Sequence, residues 1–91
     1  MMRAQTIVPG FRNSQRFRYI VRWPDTAAEV GMYITVKQMS DSFATTQVRA
    51  AVWTTMEYLA QIRRQAQRSG DSMPTGVVQR FHDIDVQVDL V

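Results

Sequence analysis

Residues 16–23 read RFRYIVRW, and the alternation within this stretch decides the fold. Phe17, Tyr19, Val21 and Trp23 fall on one side of an extended chain; Arg16, Arg18, Ile20 and Arg22 fall on the other. Aromatic and β-branched residues alternating with cations at period two predict a half-buried strand. The turn that follows, PDTAAE at 24–29, opens on Pro24, which fixes φ and removes a ladder donor. Residues 30–38 read as the return strand, with Val30, Met32, Ile34 and Val36 on one parity. Trp23 opposite Val30 would set Val21 against Met32, Tyr19 against Ile34 and Phe17 against Val36. The apolar parities agree, so a β-hairpin is expected.

Outward from the hairpin, residues 1–15 read as irregular, broken by Pro9-Gly10 and Asn13-Ser14, with a short strand expected at 5–8. Downstream, SDSFATT at 40–46 is rich in helix-start residues, with Ser42 or Thr45 as the N-cap. Ser69-Gly70 ends the helix. Val48, Val52, Thr55, Leu59, Ile62 and Ala66 form its core stripe. Such a helix is about 35 Å long against about 25 Å for the hairpin strands, so one end should overhang. SGDSMPTG at 69–76 reads as a loop. DIDVQVDLV at 83–91 alternates again, with Ile84, Val86, Val88 and Leu90 opposite Asp83, Asp85, Gln87 and Asp89.

A chain of 91 residues makes one domain. The expected class is α+β, in the order β-β-α-β: a three-stranded, mainly antiparallel sheet with one long helix on one face. A right-handed crossover lays the last strand parallel to the second. Strand order 2-1-3 is expected, because the cations of the first strand then lie beside the carboxylates of the last.

The bulk composition narrows the function classes. There is no cysteine, which excludes disulfide scaffolds, thiolate metal sites and cysteine nucleophiles. His82 is the sole histidine, and alternation sends it to the face opposite Asp83 and Asp85. The glycines are scattered and no serine sits in a nucleophile motif. A non-enzyme without cofactor or metal is therefore expected. No stretch reaches the roughly 20 apolar residues of a membrane span, and the first residues lack the apolar run of a signal peptide. A cytoplasmic chain with no membrane role is the corresponding expectation.

Of the 11 basic residues, Lys37 is the one lysine. Arginine suits phosphates, carboxylates and aromatic stacking. In the hairpin register above, Arg16 lies across from Lys37, Arg18 from Thr35, Ile20 from Tyr33 and Arg22 from Gly31. The uncovered sheet face is then basic, with Ile20 and Tyr33 in its middle. Asp83, Asp85 and Asp89 can neutralise it from within. Otherwise the face serves a partner, and two readings stay open. In the first, the chain self-associates and binds RNA or single-stranded DNA through Arg16, Arg18, Arg22, Lys37 and Tyr33. In the second, it is a protein-interaction or assembly module, meeting an acidic protein surface or further copies of itself. Ile20, Trp53 and Arg64 are its candidate partner-binding residues, Trp53 because it lies off the helix core stripe among arginines. Two sheet faces or two edge strands can meet about a twofold axis.

Overall fold

The computed structural model describes residues 8–39 and 45–91. Strands β1 (Arg16–Trp23) and β2 (Ala28–Thr35) are followed by a short 3-10 turn (Val36–Gln38), helix α1 (Thr46–Ser69), and strands β3 (Gly76–Phe81) and β4 (Ile84–Leu90). The sheet is antiparallel throughout, in the order β2-β1-β4-β3. The α+β class stands, with one helix packed on an antiparallel sheet and the last strand beside the first. The strand count is corrected from three to four. Sequence reading passes over β3, GVVQRF, because neither of its parities is cleanly apolar: Val77 and Phe81 share one with Gln79, and Val78 shares the other with Arg80. The expected strand at 5–8 and the candidate cap Ser42 fall outside the described residues, apart from Val8.

The β1–β2 register also differs from expectation, by two residues. Trp23 faces Ala28, Val21 faces Val30, Tyr19 faces Met32 and Phe17 faces Ile34. The turn decides this. Thr26 donates its backbone N–H to the Trp23 carbonyl at 3.0 Å, and Ala27 takes a left-handed φ of 59°, so the chain reverses within 24–27. A two-residue slip preserves parity, which is why the two faces come out as the sequence divides them.

Helix α1 opens and closes where its caps lie. Val48 N–H donates to Thr45 Oγ1 at 3.2 Å. At the far end Gly70 sits at φ 76°, with Gly70 N–H on the Gln67 carbonyl and Asp71 N–H on the Ala66 carbonyl. This is the left-handed closure that a glycine permits. The helix buries Ala51, Val52, Thr55, Met56, Leu59 and Ala60. Thr55 is the one polar member, and its hydroxyl donates to the Ala51 carbonyl at 2.8 Å, so no buried donor is orphaned there. Below lie Phe17, Tyr19 and Val21 of β1 and Ile84, Val86 and Val88 of β4; Val8, Phe11 and Met39 close the cluster. The helix rests on β4 and β3. It therefore leaves the outer strand β2 mostly uncovered: the residues from Ala28 to Tyr33 are all exposed.

Two glycines separate two kinds of backbone constraint. A Cβ on Gly70 would meet nothing within 4 Å, whereas one on Gly31 would lie 2.6 Å from the Tyr19 carbonyl oxygen. Gly70→Ala should cost about 1 kcal/mol through its φ alone. Gly31→Ala should cost more, about 1–3 kcal/mol, because β2 must move off β1. Urea unfolding of both variants checks the order.

A charge-paired face on the open side of the sheet

The side of the sheet away from α1 is built in rows that cross all four strands. One row runs Glu29, Arg22, Asp85, Arg80; another runs Tyr33, Arg18, Asp89, Gly76; between them lie Gly31, Ile20, Gln87 and Val78. The first row alternates in sign from edge to edge. Opposite charges directly across strands favour this pairing over its slipped alternatives.

The side chains use that register. Arg18 Nη2 lies 2.7 Å from Asp89 Oδ2, and Arg22 Nε lies 2.7 Å from Glu29 Oε2. Arg80 grips Asp85 through Nε to Oδ1 and through Nη2 to Oδ2. Gln87 links the first two pairs: its Oε1 accepts from Arg22 Nη1 at 3.2 Å, and its Nε2 donates to Asp89 Oδ2 at 2.9 Å. The hydrogen bond to Asp89 raises the Arg18 pKa above its ordinary value against a smaller desolvation effect, with Tyr33 adding to Asp89. Asp85 does the same for Arg80. Tyr19, on the helix side, has its phenol pushed up by burial.

The candidate residues thus separate. Arg18 and Arg22 are engaged by the chain's own carboxylates. Arg16 has its guanidinium 5.9 Å from the centroid of the Tyr33 ring, a cation–π contact. It is the open-face arginine without a carboxylate partner among the described residues. Lys37 is corrected off this face: it lies in the 3-10 turn beyond β2, with its N–H on the Asn13 carbonyl at 3.0 Å. The two-residue register shift removes it from Arg16, whose partner is Thr35. Asp83 likewise lies in the β3–β4 turn rather than in the acidic stripe. Ile20 is half-buried at the centre of the face.

Trp53 and Arg64 lie elsewhere. Trp53 is half-buried against the core, on the helix flank where Gly10 approaches Ala60 and Arg64. Arg64 Nη1 donates to the Pro9 carbonyl at 3.3 Å, so it ties down the N-terminal segment. Sequence reasoning missed Glu29 and Arg80. Glu29 reads as part of a turn until the tighter register draws it into β2, and Arg80 depends on a strand that alternation does not reveal.

Among the described residues, no group of three or more histidine, aspartate or glutamate side chains is placed to hold a metal ion. No described helix is long and apolar enough to cross a membrane. No family model, curated protein or solved structure matches this chain.

If the carboxylates neutralise the face, removing them should unmask it. The Asp85→Asn, Asp89→Asn double variant should elute from a heparin column at clearly higher salt than the parent. On single-stranded DNA its log–log salt slope should steepen by about 0.7 per released arginine.

Proposed function

We propose that this chain is a non-catalytic interaction module whose partner is protein. One observation carries the reading. The arginines of the sheet face are largely taken up by Asp85, Asp89 and Glu29, while uncovered apolar side chains gather on β2. Val30, Met32 and Tyr33 keep 44, 43 and 54% of their surface exposed. They sit on a single outer strand, with Val30 and Met32 on its helix side and Tyr33 on its open side. An apolar patch rimmed by polar groups is a mark of a protein contact site. A phosphate-tracking groove instead needs cations free to release counterions.

Nucleic-acid binding is the competing reading. The placement of the Arg16 guanidinium over the exposed Tyr33 ring favours it, since exposed rings with nearby cations serve as platforms for unpaired bases. Fluorescence anisotropy with a labelled single-stranded DNA or RNA oligomer, at low salt, decides between them. The protein-contact reading expects no saturable binding, and a 260-to-280 nm absorbance ratio typical of protein alone after purification. Saturable binding that Arg16→Glu abolishes and that salt weakens steeply would replace it with the nucleic-acid reading.

A further inference from the structure

Resting on the protein-contact reading, we infer that the occupant of the β2 edge is a second copy of this chain. The two β2 strands pair antiparallel about a twofold axis through Gly31, joining the two sheets into one.

The backbone of β2 sets this geometry. Val36 donates its N–H to the Gln15 carbonyl at 3.1 Å, which continues the β1–β2 register. Ladder alternation then turns the N–H and C=O groups of Ile34, Met32 and Val30 toward β1. Those of Thr35, Tyr33, Gly31 and Glu29 point outward. The outward N–H of Thr35 is already capped by Gln38 Oε1 at 2.8 Å. Among the described residues, Tyr33, Gly31 and Glu29 remain as an open row of donors and acceptors. Strand edges are commonly guarded by lysine, proline or a bulge; AEVGMYIT contains neither lysine nor proline.

A twofold axis at Gly31 uses that whole row. Gly31 meets Gly31 of the second copy, and Glu29 meets its Tyr33, each pair exchanging both backbone hydrogen bonds. An axis one residue earlier would set Tyr33 against Ala27, which lies in the turn at φ 59°. An axis one residue later would set Glu29 against Thr35, whose N–H is occupied. The register is therefore singled out by the backbone.

The side chains agree with it. On the helix side Val30 falls opposite Met32 of the second copy, and Ala28 opposite Ile34, so apolar surface meets apolar surface. On the open side Tyr33 falls opposite Glu29 of the second copy. Arg16, whose guanidinium lies over Tyr33, is thereby brought beside that carboxylate. Glu29 is held by Arg22 through one oxygen, leaving the other for Arg16 across the axis. The face arginine without a carboxylate partner among the described residues gains one from the second chain. The other sheet edge fits less well. β3 carries Gln79 and Arg80 and follows Pro74, and joining β2 to β3 would be head-to-tail, a contact that need not close.

The parent chain and a pair of cysteine variants test the inference, in a sequence that has no cysteine of its own. In sedimentation the parent should show twice the chain mass at about 100 µM, a concentration that populates even a dimer of only micromolar affinity. Its Gly31 and Tyr33 amides should exchange more slowly as concentration rises, with Thr35 unchanged. Positions 30 and 32 would be a non-hydrogen-bonded cross-strand pair, close enough for a disulfide. On oxidation of a mixture of Val30→Cys and isotope-labelled Met32→Cys chains, mass spectrometry should find the mixed species well above its statistical share. A monomer at that concentration, a statistical mixture, or faster linking through Val78→Cys on β3 would overturn the inference. These results leave the protein-contact reading standing, because that reading falls to salt-sensitive oligonucleotide binding and to none of them.

Discussion

The pairing of β1 with β4 is the contact on which the rest of the structure depends. It joins segments 71 residues apart at the Arg18–Asp89 bridge and forms the centre of the sheet. On the helix side it sets Tyr19 against Val88 and Val21 against Val86, which supplies the floor on which Val52, Met56 and Leu59 pack. On the open side it brings Arg18 to Asp89 and Arg22 to Asp85 and Gln87. A one-residue slip would place arginines under the helix and valines in water, so both faces hold the same register.

That shared dependence explains why much of the fold could be read from the sequence. RFRYIVRW and DIDVQVDLV each divide into an apolar and a charged parity. The cations of one match the carboxylates of the other, which places the last strand beside the first. The helix carries its own punctuation at Thr45 and Gly70. What was hidden follows from weaker signals. GVVQRF has an apolar residue on both parities, so β3 does not announce itself. The hairpin register was ambiguous because slips of two keep every side chain on its face, and the positive φ of Ala27 that resolves it lies at a residue type which seldom adopts one.

The candidate face was legible in composition but not in connection. Arg16, Arg18, Arg22 and Tyr33 do share it, as alternation requires. Whether their charge is available depends on Glu29, Gln87, Asp85 and Asp89, and so on cross-strand neighbours that the hairpin pattern alone does not supply. Lys37 shows the same limit, since a strand that ends at Thr35 rather than at residue 38 takes it off the sheet. A basic strand is therefore not a basic sheet face. Here Gln87 threads two ion pairs into one network, and the outer strand is left as the chemically unsettled part of the molecule.

The wide separation of β1 and β4 along the chain has a kinetic consequence. The β1–β2 and β3–β4 pairs are local hairpins, able to close on the microsecond scale. The central seam must wait for a long loop to close before its contacts repay the ordering. Until then each hairpin carries a bare apolar face and two open edges, and β1 can pair with a neighbouring chain in place of its own β4. Docking of the two hairpins, guided by arginine on one and aspartate on the other, is then the step expected to set the folding rate. The same charge ladder that quiets the finished surface would act earlier as the recognition code between two halves of one chain.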